Sequence, residues 1–429
     1  MWNSSNAYRA NRLLENMLLL MLLVLPFLAH AVDTNHAEKL KQHIDMFVPV
    51  PEIQVLGPTI FPKPTDVIED GQPALKPYSG KHRPDQDAVF AYASEYKLEN
   101  YVTFIESLRA TGFKGDIVLS VSQLNVDDPP TKTYLESVPN LVLYVPELVC
   151  YNFEGEAVES AKGGIRTCQC HHLYADSTGT PLKDPRPART IATIRYELYW
   201  LWTQNYHKDR WILLVDARDT FFQSDPFANV PRQTDPSLRS GLLYFFGENV
   251  DATRLGKSKS NNKWLTNAYG DMVAEALREK PTICSGATLG EQVALEAYAR
   301  AMSAEYDDTR VVLMGADQGF HNFLYYSGKL RYAQAIHDIV VFDQGMGIVN
   351  NMGALRTKEL DEWGNGHILK ELPPNTHGKP NYEVLNWDGT LSPVVHQFDR
   401  HKLLSDYFFK QRTHEFMMKI RQRGGRSAA

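Results

Sequence analysis

Residues 210–220 read RWILLVDARDT, an unbroken apolar run that ends in two carboxylates. The apolar part, residues 211–215, predicts a strand that is buried on both faces, as in a parallel sheet. Ligands bind at the carboxyl ends of strands in open α/β sheets, so Asp216 and Asp219 stand where a site is expected. Two neighbouring carboxylates repel each other unless a cation compensates, and a divalent metal, which commonly bridges to phosphates, is the natural candidate. The alternative is that one carboxylate caps a helix or pairs with Arg218.

Strands and helices alternate on the N-terminal side of this run. Residues 88–93, 116–121 and 141–145 are short and apolar, which predicts three further strands. Residues 100–111 carry apolar side chains at helical spacing. A strand, a helix and a strand in this rhythm form a βαβ unit, whose strands are parallel. The sequence therefore predicts an α/β fold with a mostly parallel, Rossmann-like central sheet flanked by helices.

Two segments on either side of the acidic motif add polar candidates. An amphipathic helix over residues 190–206 carries Arg195, which either snorkels from the helix edge or points at a phosphate or sugar beside the carboxylates. After the motif, residues 241–247 predict another strand. Residues 261–264, NNKW, predict a polar loop in which Trp264 either stacks on a sugar or anchors the loop.

A glycine-flanked segment and a late histidine add further candidates. Residues 283–290, ICSGATLG, lead into an amphipathic helix and present Ser285 and Gly286. His396 stands in a short strand or loop, residues 394–400. A lone histidine is usually structural, and the alternative is a third metal ligand that joins the two carboxylates from afar.

A polar helix face is the last candidate. Residues 314–324 predict a helix with Asp317 at its N-cap. Capping accounts for Asp317 but not for Gln318 and Asn322, which are four residues apart and so share one face of the helix.

The order of these motifs resembles the order of landmarks in GT-A-fold glycosyltransferases, most closely the retaining families that include glycogenin and the family 8 galactosyl- and glucosyltransferases. The resemblance covers residues 87–400 and implies a single GT-A-like domain. The acidic motif departs from the family pattern, because two residues separate its carboxylates instead of one. Asp216 then reaches from one position earlier, or a bulge restores the geometry. Cys284 also replaces the asparagine of the family's Asn-Ser-Gly.

The resemblance assigns roles to the candidate residues. It implies that Asp219, Asp216 and His396 bind Mn²⁺ or Mg²⁺, which stabilises a leaving diphosphate as a Lewis acid. The residues that would contact donor or substrate are Arg195, Asp216, Ser285, Gly286 and Asn322. Asp317 is the candidate nucleophile if a covalent intermediate forms. Gln318 is the candidate if the reaction runs on one face of the sugar through an oxocarbenium-like state.

The predicted function is that of a metal-dependent glycosyltransferase of the secretory pathway. It would move a sugar from a nucleotide sugar, with a UDP-sugar as the family expectation, to a glycan, glycoprotein or glycolipid acceptor. Retention of configuration is what the resemblance implies. One alternative is a non-catalytic glycan- or nucleotide-binding protein on the same fold, which the altered acidic spacing motivates. Another is a phosphohydrolase of the haloacid dehalogenase type, whose Asp-x-Asp-x-Thr motif residues 216–220 superficially resemble.

The N-terminus predicts entry into the secretory pathway. Arg9 and Arg12 precede an apolar run, residues 17–28, which small residues follow. This pattern predicts a signal peptide over residues 1–31, or an uncleaved signal anchor. Either puts the rest of the chain in the lumen of the ER or Golgi. The protein is then secreted, retained, or held as a single-pass type II membrane protein.

Composition sets the remaining boundaries. Residues 32–86 are rich in proline and predict a stem or linker, with packing across the back of the domain as the alternative. The domain follows over residues 87–400, and the basic residues 401–429 predict a solvated helix and tail. A net charge of −6 gives no indication of a nucleic-acid partner.

Four cysteines favour disulfide bonding in an oxidising lumen. The predicted bridge joins Cys150 to Cys168 or Cys170, and the sequence does not choose between them. Zinc binding by residues 168–172, CQCHH, is the alternative, although one residue between two cysteines is tight for a zinc site.

Overall fold

The computed structural model describes residues 42, 45–55, 57, 59–158, 167–232, 240–355, 368–375 and 378–427. The chain divides into two compact units, Met1–Asp45 and Met46–Ala429, and every strand and helix named here lies in the second. The predicted signal segment, residues 1–31, falls outside the described residues and stays a prediction. Within the described ranges, no helix has both the length and the apolar character that crossing a bilayer requires.

The elements of the described residues follow one another in an α/β pattern. The strands are β1 (Gln72–Pro73), β2 (Ala88–Tyr92), β3 (Asp116–Ser120), β4 (Leu141–Tyr144), β5 (Glu147–Tyr151), β6 (Ala157–Val158), β7 (Thr167–His171), β8 (Tyr174–Ala175), β9 (Pro181–Leu182), β10 (Trp211–Val215), β11 (Thr220–Phe222), β12 (Leu242–Gly247), β13 (Ile283–Glu291), β14 (Asp338–Phe342), β15 (Val349–Asn351), β16 (Leu369–Leu372), β17 (Asn381–Val384) and β18 (Val394–His396). The α-helices are α1 (Leu98–Ala110), α2 (Gln123–Asp127), α3 (Pro129–Ser137), α4 (Ile191–Thr203), α5 (Lys259–Ala276), α6 (Gln292–Thr309), α7 (Ala316–Tyr326), α8 (Lys402–Leu404) and α9 (Thr413–Ser427). Short 3₁₀-helices cover Pro51–Ile53, Pro64–Val67, Lys329–Tyr332 and Phe398–Arg400, and a π-helix covers Ser405–Arg412.

Seven strands form the central sheet, in the order β14-β12-β13-β10-β2-β3-β4. β13 runs antiparallel to both of its neighbours, and the other pairs of the sheet are parallel. The prediction of an α/β fold with a mostly parallel central sheet is therefore confirmed. β10 is buried along its whole length as predicted, but its two neighbours differ, since β2 is parallel to it and β13 is antiparallel.

Alternate side chains of β10 enter two separate cores. Ile212 and Leu214 join a first core, which α4, α5, α6 and α7 cover. Leu213 and Val215 join a second core, which α1, α3 and the C-terminal helices cover. Complete burial of one such aliphatic side chain contributes about 1.5–3 kcal/mol. Burial on both sides therefore fixes the end of β10, and with it the position of the acidic motif.

The proline-rich segment packs on the domain from residue 46 onward. Phe47, Val50 and Phe61 are buried in the first core. The Val50 amide donates to the Tyr326 carbonyl oxygen at 2.7 Å. These residues therefore pack on the domain, while the assignment of residues 32–86 as a stem or linker stays a prediction.

The C-terminal helices belong to the second core. The ring of Phe221, two residues after Asp219, stacks on Phe408 with 4.3 Å between ring centroids. Phe416 of α9 lies on the same ring at 6.4 Å. The apolar face of the C-terminal helices thus covers the strand next to the acidic motif.

The insertion between β4 and α4 contains the cysteine bridge. Cys150 and Cys168 lie opposite each other in the antiparallel pair β5 and β7 and form a disulfide. Cys170 and Cys284 are free thiols, and both are buried. Zinc binding by residues 168–172 is not compatible with this arrangement, since Cys168 is bonded to another sulfur.

Candidate metal and donor site

The two carboxylates of the acidic motif flank a tight turn at the end of β10. The Thr220 hydroxyl donates to the Asp216 carbonyl oxygen at 2.7 Å, which closes the turn. The side chain of Ala217 enters the second core, whereas the carboxylates of Asp216 and Asp219 both face His396. The carboxylates of Asp216 and Asp219 converge as a result, and the turn accommodates the extra residue of the motif.

His396 reaches this turn through a small three-stranded sheet, β11-β18-β15. β11 and β18 are antiparallel, with Thr220 opposite His396. The His396 Nε2 atom lies 3.9 Å from Asp216 Oδ2 and 3.8 Å from Asp219 Oδ1. One ligand atom from each residue lies within 4.8 Å of the other two, and the described ranges hold no second group of this kind. The three residues predicted as metal ligands therefore meet.

The hydrogen bonds of Asn351 assign the tautomer of this histidine. The Asn351 amide nitrogen donates to the carbonyl oxygens of Phe246 and Gly247, at 3.1 and 2.9 Å. Its carbonyl oxygen therefore faces His396 Nδ1, at 2.8 Å, and accepts the proton of that nitrogen. His396 Nε2 then carries a lone pair. It is buried and has no hydrogen-bond partner among the described residues. A buried lone pair directed at two carboxylates is unfavourable unless a cation lies between them.

The donor set fits a divalent cation. Burial raises the pKa of Asp219. An ionised carboxylate at this buried position therefore needs a positive partner. Carboxylate oxygens suit Mn²⁺ and Mg²⁺, whereas an imidazole nitrogen favours a transition metal over Mg²⁺. Two carboxylates and one imidazole therefore suit Mn²⁺ better than Mg²⁺.

Gly286 forms the wall of the site opposite the acidic turn. Its carbonyl oxygen accepts a hydrogen bond from the Asp216 amide at 3.0 Å. A Cβ atom at this position would lie 2.7 Å from His396 Cε1 and 2.8 Å from Asp216 Oδ2. Only glycine leaves room for the three ligands to converge, while contact of Gly286 with a donor stays a prediction.

Arg195 connects the metal-ligand group to α7. Its Nη1 atom bonds the Asp216 carboxylate. Its Nη2 atom donates to Asp317 Oδ2 at 2.7 Å and to the Ser285 carbonyl oxygen at 3.3 Å. The guanidinium is mostly buried and compensates two carboxylates at once. It does not snorkel into solvent but lies beside the carboxyl end of β10, and its contact with a phosphate or sugar of the donor stays a prediction.

Asp317 is not the N-cap of α7, which corrects the prediction. Gly315 is the N-cap, with a left-handed φ of 84°, and Asp317 lies in the first helical turn. Its Oδ2 atom accepts from the Ser285 hydroxyl at 3.0 Å. Burial raises the pKa of Asp317, and Arg195 opposes the rise. The carboxylate thus faces the site, next to the metal-ligand group, rather than the helix backbone.

Gln318 and Asn322 hydrogen-bond the start of β13. The Asn322 amide accepts from the Ile283 amide and donates to the Ile283 carbonyl oxygen, both at 2.9 Å. Gln318 accepts from the Ser285 amide at 2.7 Å and donates to the Ile283 carbonyl oxygen at 2.9 Å. The fully buried Asn322 is therefore committed to backbone, and the structure does not bring it to the open site as the prediction required.

Trp264 lies on a helix, not on the predicted polar loop. α5 begins after Ser258, whose hydroxyl accepts from the Asn261 amide at 3.3 Å and caps the first turn. The indole lies against the start of α7, because a Cβ atom on Gly315 would be 2.3 Å from Trp264 Cζ2. The indole therefore packs against the segment before Asp317, a contact that neither interpretation of the sequence contained.

Glu248 is a carboxylate of the site that the sequence analysis missed. It directly follows β12, which runs in the same direction as β10 because both are antiparallel to β13. Its Oε1 atom accepts from Gln318 Nε2 at 3.3 Å. Burial raises the pKa of Glu248 to about 7, against hydrogen bonds from Cys284 and Gln318. A carboxylate directly after a predicted strand was the available signal, the same one that identified Asp216.

We expect the Glu248→Gln variant to become more stable than the wild type as the pH rises. Folding raises the pKa of Glu248 from 4.5 to about 7, so the folded state keeps a proton that the unfolded chain releases. The stability that Glu248 contributes is present below the unfolded pKa and is lost as the pH rises through the folded pKa. Near pH 8 the variant should therefore have a free energy of unfolding roughly 3 kcal/mol higher, and near pH 4 no difference. Urea unfolding at both pH values measures this, and a pH-independent difference would contradict it.

Comparisons with known proteins found matches among solved structures only. No protein-family model matches the chain, and no curated protein is similar to it in sequence. Among solved structures, the bifunctional glycosyltransferase WbbM is 13% identical with a TM-score of 0.36, over 65% of this chain and 42% of WbbM. The galactosyltransferase LgtC, solved with donor and acceptor sugar analogues, is 11% identical with a TM-score of 0.35, over 77% of this chain and 94% of LgtC. The chain spans less than half of WbbM, and at these TM-scores the function rests on the residues of the site.

Proposed function

We propose that the chain is a metal-dependent glycosyltransferase that moves a sugar from a nucleotide-sugar donor to a glycan, glycoprotein or glycolipid acceptor. A UDP-sugar is the first expectation for the donor. The observation that carries the proposal is the buried Nε2 lone pair of His396, which faces the carboxylates of Asp216 and Asp219. This group lies at the carboxyl end of the central strand, where open α/β sheets bind their ligands.

The chemistry of nucleotide-sugar cleavage matches this set of residues. The leaving diphosphate gains negative charge in the transition state and needs preorganised positive charge or dipoles. A divalent ion held by Asp216, Asp219 and His396 would supply Lewis-acid stabilisation worth several kcal/mol. Arg195 holds the carboxylates of Asp216 and Asp317 in place, so the charges of the site are positioned before a donor binds.

Asp317 is the better candidate than Gln318 for the group beside the reacting carbon of the sugar. Both ends of the Gln318 amide are bonded to backbone and to Glu248. Asp317 has one carboxylate oxygen bonded by Arg195 and Ser285, and its other oxygen has no hydrogen bond among the described contacts. A retaining reaction would use that oxygen as a nucleophile or as the stabiliser of an oxocarbenium-like state.

A location in the secretory pathway is part of the same proposal. The pattern of residues 1–31, in which basic residues precede a short apolar run, supports a signal peptide or a type II anchor. The disulfide between Cys150 and Cys168 supports an oxidising compartment such as the ER or Golgi lumen. Protease protection of the full chain in microsomes distinguishes the lumen from the cytosol.

Removal of the metal should abolish sugar transfer. We expect the full chain to release a nucleoside diphosphate from one member of a panel of nucleotide sugars with Mn²⁺, and release to fall at least a hundredfold with EDTA, because the carboxylates then lack their cation. Added Mn²⁺ should restore the rate, and Mg²⁺ should restore less of it. Release that is indifferent to EDTA would refute the metal assignment. Mn²⁺-dependent binding of a nucleoside diphosphate without release, with every acceptor class supplied, would favour the non-catalytic alternative.

A further inference from the structure

The extra residue of the acidic motif places an arginine at the mouth of the site. Of the two residues between the carboxylates, Ala217 is buried, whereas the side chain of Arg218 is 50% exposed. Its Nη2 atom lies 3.4 Å from Asp219 Oδ2 and 3.2 Å from Asp399 Oδ2. Arg218 is therefore in contact with a metal-ligand candidate from the solvent side.

The second arginine of the site is differently placed. Arg195 is buried behind the carboxylates, with its two terminal nitrogens on Asp216 and Asp317. Its release would leave two carboxylates without their counter-charge, which costs several kcal/mol for partly buried groups. By contrast, the contact of Arg218 with Asp219 is long and half-exposed, and contacts of that kind are worth about 1 kcal/mol or less. Of the two guanidinium groups, only that of Arg218 is free to exchange partners at small cost.

The charges around Arg218 favour an anion. Asp399 lies between two half-exposed guanidinium groups, since Arg400 contacts both of its oxygens at 3.1 Å. One carboxylate thus faces two positive charges at this rim. A cation held by Asp219 would also neutralise the carboxylate charge that now compensates Arg218. An incoming anion therefore meets an uncompensated positive charge next to the metal-ligand group.

We propose that Arg218 binds the diphosphate of the nucleotide, exchanging its contact with Asp219 for phosphate oxygens. This inference rests on the proposed function and adds a residue to it. The planar guanidinium offers paired N–H donors that match two phosphate oxygens, and Asp399 holds the side chain at the rim in the meantime. The ligand is the phosphoanhydride group itself, so Arg218 recognises a diphosphate of any nucleoside.

Calorimetric titrations of the full chain with Mn²⁺ test this role. The probes are UDP, GDP and ADP, each compared with its monophosphate. We expect Arg218→Ala to raise the Kd of the diphosphate that the wild type binds by at least about tenfold, and that of the matching monophosphate by less than about threefold. Arg218→Lys should recover part of the loss, because it keeps the charge without the paired donors.

Two controls separate this role from a structural one. Arg232 is also half-exposed and paired with one carboxylate, Asp87, at the opposite end of the sheet, and Arg232→Ala should leave all the affinities unchanged. Binding of Mn²⁺ alone, measured by electron paramagnetic resonance, should be unchanged or tighter in Arg218→Ala, because a positive charge beside Asp219 is removed. If Arg218→Ala loses equal affinity for diphosphate and monophosphate, or loses none for either, the role of Arg218 is overturned while the proposed function stands. A wild type that binds Mn²⁺ but none of the three diphosphates would overturn the proposed function as well.

Discussion

Replacement of Asp219 by asparagine is expected to lower metal-dependent sugar transfer by roughly a thousandfold, the equivalent of about 4 kcal/mol in the transition state. Asp219 is the most buried carboxylate of the metal-ligand group, and its oxygen faces the His396 lone pair at 3.8 Å. The amide keeps the shape of the side chain but binds a divalent cation poorly. The measurements are Mn²⁺ affinity by paramagnetic resonance and nucleoside diphosphate release from the active donor.

The same variant should remain folded, which makes the result interpretable. Burial raises the pKa of Asp219, so its ionised form costs free energy in the metal-free protein. Removal of that charge should leave the metal-free melting temperature unchanged or higher. Asp209→Asn is the matched control, because Asp209 lies just before β10 and its ion pair among the described residues is with its surface neighbour Arg210. Mn²⁺-dependent transfer at the wild-type rate in Asp219→Asn would refute the metal site.

Replacement of Gly286 by alanine should abolish metal binding without a large loss of stability. The new methyl group would lie 2.7 Å from His396 Cε1 and 2.8 Å from Asp216 Oδ2, so at least one ligand must move. A ligand displaced by half an ångström or more no longer meets the geometry that a metal requires, and we expect Mn²⁺ affinity and transfer to fall at least a hundredfold. The backbone of Gly286 is ordinary extended strand, so the effect is one of contact and not of conformation.

Gly290, on the same strand, provides the matched comparison. A Cβ atom there would lie 2.7 Å from the Leu242 carbonyl oxygen and from Leu243 Cδ2, away from the metal-ligand group. Gly290→Ala should therefore lower the free energy of unfolding by about 1–3 kcal/mol through overpacking, and with it the melting temperature. The folded fraction should keep its Mn²⁺ affinity. In titration calorimetry, Gly286→Ala should lose Mn²⁺ affinity and Gly290→Ala should keep it. In thermal unfolding, Gly290→Ala should lose stability and Gly286→Ala should lose little. Similar Mn²⁺ affinities in the two variants would count against the assigned role of Gly286.

The sheet was predictable because its signal is local. Apolar runs as short as residues 88–93 and 211–215 contain their own evidence for buried strands, and the intervening helices fix the parallel direction. The antiparallel direction of β13 could not be predicted from a local apolar run. Its sequence, residues 283–291, is rich in small residues and glycine, and its direction depends on how α5 and α6 connect it to its neighbours.

The metal-ligand group was predictable as a set of residues, but its geometry was not. The sequence identified Asp216, Asp219 and His396, whereas the turn closed by Thr220 and the pairing of β11 with β18 appear only in the folded chain. Both depend on contacts between residues that are far apart in the sequence. The tautomer of His396 likewise depends on Asn351, which no motif marks.

The partners of the amide and arginine side chains were harder to predict, since a polar side chain can hydrogen-bond the backbone as well as a ligand. Asn322 forms hydrogen bonds with the backbone at the start of β13, and Arg195 forms ion pairs with two carboxylates. Spacing on a helix shows which face a residue occupies, but not what lies opposite that face. Glu248 differs from these residues, because its position directly after the apolar run of β12 is itself a local signal of a site, like that of Asp216 after β10.

The pairing of β11 with β18 has a consequence for how the protein is made. A ribosome releases the acidic turn long before it releases His396, and Phe408 and Phe416, which cover Phe221, come later still. A nascent chain can complete most of its central sheet while its two carboxylates still lack their third ligand. On the proposed function, the metal would be bound only after the chain has been synthesised beyond His396.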